Sequence, residues 1–494
     1  MIKDFILQKE FGYLLDNKWV EPQSDKYIDI LSPQDNSLVG AIPSLNEDEI
    51  DKCILSSNKA FLLWKDKSIN QRTEILKRVS QIIRDERYEL TNLIINEVGK
   101  PYKDSYDEVM RTSDIIDFYA EEGRRIFGDV LLSESFPGFG KEKIAITKRV
   151  PLGVTLAIPP FNYPLNETIP KIIGAIIPGN TVILKAPQQG GITCMVIGEI
   201  FRLAGLDDGV LNIVSGENNV VGDYLVRSEY IKAINFTGGT KTAIHIQREV
   251  TKREDVIPVM LLGLSGKDAS IVLKDADIKK SVTNIAQGAF SYSGQRCTAI
   301  KRVLIDQSIE DEFIKELVKE VKENFILGDP KDKNTTIGPV INDKAAMYLN
   351  ELKKDAIDKG AKIVLEGENK GRFIYPIILS NVSLDMRIAW EEPFSPILPI
   401  IKIKDKNEAI DIANQSEYGL QSSVFTENIS DAFYIAERLD VGNVQINGKD
   451  SRGPDNFPFN GVKKSGIGNI QGAKYLIESL SRIKTFVINL EDEK

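Results

Sequence analysis

Cys297 is the side chain around which the chemistry of this sequence gathers. It stands in the segment YSGQRCTAIKR, flanked by Arg296, Lys301 and Arg302. Cationic surroundings favour thiolate over thiol, and the thiolate is the nucleophilic form of sulfur. A lone Cys in a soluble chain is ordinarily a small buried hydrophobe, so a nucleophile needs partners elsewhere. The single His, His245, excludes most alternatives: a Ser-His-Asp triad, a Cys-His pair or a His-rich cluster would each have to use it. His245 sits in FTGGTKTAIHIQ and is read as an ordinary helix residue without a carboxylate or thiol at ligand spacing. Cys53, Cys194 and Cys297 are an odd set with no C-x-x-C, so neither a disulfide framework nor a metal site is expected.

The elements that must position Cys297 follow from length and texture. A chain of 494 residues can bury a large core, and at ~150 residues per domain it holds two to four domains. A net charge of −9 argues against a nucleic-acid footprint, which needs a concentrated basic face. Charge runs such as Lys315, Glu316, Lys319 and Glu320 read as solvated helix faces. The first residues, MIKDFILQKEFGYLLDN, lack the apolar core of a signal peptide. The longest apolar stretches, IIGAIIPG and VIPVMLLGL, fall short of the ~20 residues that span a bilayer. A soluble, cytoplasmic protein without membrane contact is expected.

From Ser68 to Val98, apolar residues recur at helical spacing, with Gly99 and Pro101 as the stop. After Val150 the texture changes to short apolar runs (VTLAIPP, NTVILKAP, GVLNIVSG, IKAINFTGG) alternating with helical segments. Buried strands alternating with helices predict a parallel sheet with crossovers, and the Pro and Gly ending the runs mark where such sheets bind ligands. A second series starts near Val259 with ASIVLKD and RVLIDQ, so two α/β domains are expected with a boundary near residue 260. Residues 129–149 and the tail RIKTFVINLED fit neither domain and read as a small separate sheet. The dinucleotide fingerprint is absent: Gly138 and Gly140 lead to Lys143, and Gly466 and Gly468 lead to Gln471, where glycine is needed.

PPFNYPLN, LKAP, FTGGT, GQRCT, EEPFSP and FPFNGVKKSGIG occur in this order along the chain. Together they resemble the ordered motif set of the aldehyde dehydrogenase superfamily, from about residue 15 to 490. The resemblance implies an α/β fold with two Rossmann-like parallel-sheet domains and a small β oligomerisation element. It divides the chain into a cofactor domain (1–128 and 150–260), a catalytic domain (261–473) and an oligomerisation element (129–149 and 474–494), in a homodimer or homotetramer. It makes Cys297 the nucleophile that attacks an aldehyde, with Asn162 and the Cys297 N–H holding the oxyanion; one such donor is typically worth ~3 kcal/mol. Hydride then passes to a nicotinamide, leaving a thioester.

The resemblance also implies that Ile158, Pro159, Phe161, Lys185, Gln188, Gly222, Thr237, Gly238 and Gly239 hold the nucleotide. Glu392 would take the nicotinamide ribose and Phe394 would pack on the nicotinamide. Lys185 with neutral Gln188, where many members carry Glu, points to NADP, with NAD as the alternative. Arg111, Tyr163, Arg296 and Arg452 resemble the phosphate-binding set of non-phosphorylating glyceraldehyde-3-phosphate dehydrogenases. Converging guanidiniums would clamp a phosphorylated aldehyde by bidentate hydrogen bonds.

Two departures stand against this. The family's L-E-L-G-G-K, whose Glu is the base for thioester hydrolysis, reads MLLGLSGKDAS, with Gly263 or Leu262 at the Glu position. Ala243 replaces a common Gly. Losing a general base typically costs ~10²–10⁴ in its step. Deacylation is then slow, rerouted or served by another acid such as Glu392. The competing readings are an acylating dehydrogenase that passes its thioester to coenzyme A, and a catalytically silent regulatory or binding homologue.

Overall fold

Strands whose side chains alternate into helices on either face need near-continuous apolar sequence, and five such runs form the first sheet. They are Val154–Ile158, Thr181–Lys185, Leu211–Val214, Ile231–Thr237 and Val259–Gly263. All five are parallel, and in space they lie third, second, first, fourth, fifth. Tyr13–Leu15 and Lys18–Val20 add antiparallel strands at one edge, and Gly466–Ile467 adds one at the other. The order reverses between Val154–Ile158 and Ile231–Thr237, so the crevice beyond their carboxyl ends is the natural ligand site. The computed structural model describes residues 2–468 and 471–490.

The second sheet holds Ile377–Ser380, Ile397–Ile403, Arg302–Asp306, Ala269–Val272, Gln421–Phe425 and Asn443–Ile446, in that spatial order and all parallel. Lys362–Leu365 closes one edge as an antiparallel strand. The two-sheet α/β architecture expected from the sequence is therefore observed.

Helices Glu47–Trp64, Ile69–Asp85, Arg87–Val98 and Tyr102–Gly123 precede the five parallel strands of the first sheet. The stretch from Ser68 to Val98 is two helices instead of one, broken at Glu86, where the backbone leaves helical geometry. Ser68 and Gln71 form a capping box at its start, and Gly99 ends it with φ +68°.

A third sheet pairs Ser481–Asn489 with Lys143–Pro151 over nine antiparallel residue pairs, and Val130–Leu132 with the other edge. Residues 491–494 of the expected tail element lie outside the described residues. Two details differ from the expected division. The boundary between 260 and 261 falls inside strand Val259–Gly263. Helix Ala473–Ser479 belongs to the first core, where Ala473, Leu476 and Ile477 pack with Tyr119, Ile172 and Ile173. A side chain at Gly174 would meet Leu476 at 2.9 Å, so glycine there is what allows the helix to approach. No helix among the described residues is long and apolar enough to cross a membrane.

Candidate active site

A cavity of about 730 Å³ lies beyond the carboxyl ends of the first sheet's central strands and reaches the second domain. All seventeen residues singled out from the sequence line it: Cys297 and Asn162, the nucleotide set, Glu392 and Phe394, and Arg111, Tyr163, Arg296 and Arg452.

Cys297 is placed by a strained turn. Helix Ile278–Phe290 ends, and Tyr292, Ser293 and Gly294 follow with φ of 51°, 54° and 69°. Two consecutive L-residues in the left-handed region cost free energy, and the surroundings must hold them. Ser293 Oγ donates to the Gly338 carbonyl at 2.8 Å. The neighbouring Gln295 side chain donates to the Pro339 carbonyl at 3.3 Å and accepts from the Ile341 N–H at 2.8 Å. A side chain at Gly294 would stand 2.7 Å from the Ser395 carbonyl oxygen. Lys301 Nζ donates to the Cys297 carbonyl and lies 3.3 Å from Glu392.

The expectation that neighbouring cations favour thiolate is not met. Arg302 is buried against the Ala389 and Ala413 carbonyls, and Arg296 donates to the Gly288 carbonyl. Burial, followed by the charge of Glu167, pushes the Cys297 thiol up to about 12. Lys301 does draw the thiol down, but burial and Glu167 outweigh it.

Asn162 Nδ2 donates to the Gln295 carbonyl at 2.9 Å, which ties the amide to the turn that carries the thiol. Its own loop is held from below. Glu108 Oε1 accepts from the Leu165 and Asn166 N–H groups at 3.0 and 3.1 Å, while Oε2 pairs with Lys100. Both side chains of that pair are fully buried, and Lys100 Nζ stands 3.7 Å from the centre of the Tyr163 ring.

The nucleotide half lies at the switch point. Gly238 N donates to the Gly263 carbonyl at 3.0 Å, and helix Thr240–Val250 starts at Gly239 with no side-chain cap. Its first N–H groups are left for an anion. A Cβ at Gly239 or Gly222 would meet no atom within 4 Å, so the backbone is open to close approach by a phosphate. Lys185 ends its strand and is buried; burial pushes its ammonium down to about 8. Phe394, at φ 47°, meets Phe161 edge-on with ring centres 5.9 Å apart. Glu392 Oε1 accepts from the Gly266 N–H at 3.0 Å. These donors, the open glycine backbone and the paired rings fit a nicotinamide dinucleotide.

The arginines converge from three elements. Arg111 binds both oxygens of Asp455, at 2.5 and 2.8 Å, and donates to the Arg452 carbonyl at 2.7 Å. Arg452 pairs with Glu167. Arg296 keeps its Nε buried with no hydrogen-bond partner.

Gly263 and Leu262 separate clearly. Gly263 lines the cavity, and Leu262 is fully buried in the core beneath. No carboxylate stands at either position. His245 also departs from expectation: Nε2 lies 2.7 Å from Asp223, and Glu249 one helical turn on completes a group of possible ligands within 4.8 Å. Arg227 and Lys252 already neutralise Glu249. Residues missed from the sequence are Glu167, Lys171 and Asp455. The i, i+4 spacing of Glu167 and Lys171 and the i, i+3 spacing of Arg452 and Asp455 hinted at pairs; their other partners are distant in the chain.

The sequence matches the profile of the Aldehyde dehydrogenase family over residues 19–486. It is 44% identical over 484 residues to the NADP-dependent glyceraldehyde-3-phosphate dehydrogenase of Streptococcus equinus, covering 98% of this chain and 100% of that one. The protein of the same name from Apium graveolens is 40% identical, with 99% and 97% covered. Among solved structures, the NADP-dependent glyceraldehyde-3-phosphate dehydrogenase of Bacillus halodurans complexed with NADP superimposes with a TM-score of 0.94 at 41% identity, covering 98% of this chain and 100% of that one. With this profile match and these full-length relatives, the chain belongs to the aldehyde dehydrogenase family.

Proposed function

We propose that this enzyme oxidises D-glyceraldehyde 3-phosphate to 3-phosphoglycerate with NADP and without inorganic phosphate. The observation that carries this reading is the meeting, in one cavity, of Cys297, Asn162, three arginines and an uncapped helix N-terminus at the switch point. The relatives named above support the choice of substrate and cofactor.

Binding begins with the phosphate of the aldehyde on Arg452, Arg111 and Arg296, with Tyr163 beside them. This places the carbonyl carbon at the Cys297 sulfur. As the sulfur adds to the carbonyl its proton passes to water in the cavity, and the Asn162 amide and the Cys297 N–H meet the charge that develops on oxygen. NADP, when bound, supplies the hydride acceptor. Helix Thr240–Val250, Gly238, Gly239 and Lys185 hold its phosphates and ribose, and Glu392 and Phe394 orient its nicotinamide end. Closing the sulfur in this half-buried pocket keeps bulk water from the aldehyde until the thioester has formed.

The cofactor domain in this proposal is the first sheet with its helices, the catalytic domain is the second, and the third sheet is the subunit contact. Val130, Leu131, Phe136, Ile483, Phe486 and Val487 are exposed on or beside that sheet, an unusual apolar area for a free surface. A dimer or tetramer in sedimentation, reduced to smaller species by Val487→Lys, is the expected result. Three free cysteines suit a reducing cytoplasm.

The direct assay mixes enzyme, NADP and the aldehyde in buffer without phosphate or thiols. Equal amounts of NADPH and 3-phosphoglycerate over many turnovers are expected. Product only after coenzyme A is added would favour the acylating reading, for which the lost carboxylate at Gly263 is the specific argument.

A further inference from the structure

Hydrolysis of the thioester requires a group that takes a proton from water as its oxygen attacks, and Gly263 provides none. Among the described residues, three carboxylates line the cavity: Asp223, Glu392 and Glu167. Asp223 is engaged with His245 on the outer helix, its Oδ1 2.7 Å from the ring. Glu392, whose Oε1 takes the Gly266 N–H and Lys301, is assigned above to the nicotinamide end of the cofactor. Glu167 is paired too, but with Arg452, the guanidinium assigned above to the substrate phosphate. It lies one turn beyond Asn162, its N–H donating to the Tyr163 carbonyl at 2.9 Å. Its side chain is only 13% exposed, and Oε2 lies 3.4 Å from both Thr237 Oγ1 and Lys171 Nζ. Lys171 in turn donates to Thr237 Oγ1 at 2.6 Å.

Thr237 is the register partner of Gly263 on the adjacent parallel strand. The Glu167 carboxylate thus touches the strand end beside Gly263, and both residues line the cavity. Its charge is also, after burial, the leading influence on the Cys297 thiol.

We propose that Glu167 is the general base of deacylation, a carboxylate supplied from the Asn162 loop in place of one on the Gly263 strand. This rests on the oxidation proposed above. Water adds through its oxygen to the thioester carbonyl carbon while its proton passes to Glu167. The tetrahedral intermediate collapses with cleavage of the C–S bond, the acid is released, and the proton held by Glu167 returns to the Cys297 sulfur. The ion pair with Arg452 makes the base conditional on substrate. In the free enzyme, burial opposes the Glu167 charge, but Arg452 and Lys171 outweigh it and hold the carboxyl below its ordinary range. A substrate phosphate draws on the same guanidinium, loosens that hold and leaves Glu167 more basic when the thioester is present.

The test is stopped-flow NADPH formation by Glu167→Gln with NADP and glyceraldehyde 3-phosphate. The expected trace is a burst near one NADPH per subunit followed by turnover slowed ~10²–10⁴-fold. Hydroxylamine, which attacks thioesters without a base, should restore turnover. Gly263→Glu in the same background should restore it with water, because Gly263 is in an extended strand with no left-handed φ to oppose a side chain. Intact-mass measurement should find the acyl group on the stalled enzyme. Wild-type turnover in Glu167→Gln would overturn the proposal while leaving the oxidation reading intact. Loss of the burst together with turnover would also overturn it, by assigning Glu167 to acylation. Wild-type enzyme that forms no NADPH would instead overturn the oxidation reading itself.

Discussion

Replacing Arg452 by Met removes a charge and keeps most of the stem, and the structure predicts an effect that depends on the substrate's phosphate. In the free enzyme Arg452 pairs with Glu167 and lies 3.7 Å from Asp455. Binding a phosphate therefore exchanges one anionic partner for another and does not satisfy an idle cation. A charge-assisted hydrogen bond is worth about 1.5–3 kcal/mol, and the exchange puts the net loss at the lower end. At 1.4 kcal/mol per factor of ten, kcat/KM for glyceraldehyde 3-phosphate should fall roughly 10–50-fold. Glyceraldehyde without its phosphate makes no use of that contact, so its kcat/KM should change no more than ~3-fold. The assay is initial-rate NADPH absorbance with both aldehydes at saturating NADP. Equal losses on the two substrates would refute the argument, because Arg452 would then act on the sulfur or on Glu167 and not on the phosphate.

Asn162→Ala should lower the burst rate ~10²–10³-fold with NADP affinity unchanged, as expected for removal of one oxyanion donor; stopped-flow and fluorescence titration check the two parts. Burial lowers Lys185 to about 8, so the group is cationic below that pH and neutral above it. NADP affinity should therefore fall roughly tenfold between about pH 7 and pH 9.5, while NAD affinity stays level; a flat NADP titration would remove Lys185 from 2′-phosphate binding. Glu108→Ala should destabilise the fold by about 3–5 kcal/mol in urea denaturation, because it strands the fully buried Lys100 and frees two N–H groups of the Asn162 loop.

The parts of the site that could be read from sequence are those carried by local grammar. Strand runs ending in Pro or Gly located the switch point, because a parallel sheet buried on both faces must be continuously apolar. Motif order then paired Asn162 with Cys297. What could not be read is set by partners far along the chain. Arg452 stands 285 residues beyond Glu167, and nothing local announces their pairing. Lys301 and Arg302 adjoin Cys297 in sequence, yet the strand that starts at Arg302 turns its guanidinium into the core. Helix Ala473–Ser479 has too few residues to declare its core, and Leu476 packs on Gly174 only after the chain has returned to the first sheet. Gly263 and Leu262 were indistinguishable by counting, but one faces the cavity and the other the core, as alternation along a strand requires.

In the proposed reaction Cys297 carries the acyl group through oxidation. Rapid acid quench of the wild-type enzyme during turnover with NADP and glyceraldehyde 3-phosphate, followed by peptide mass spectrometry, measures this directly. A phosphoglyceroyl adduct is expected on the peptide containing Cys297, absent when NADP is omitted and absent from Cys297→Ala. NADPH production at an undiminished rate by Cys297→Ala, or an adduct on Cys53 or Cys194 instead, would contradict it.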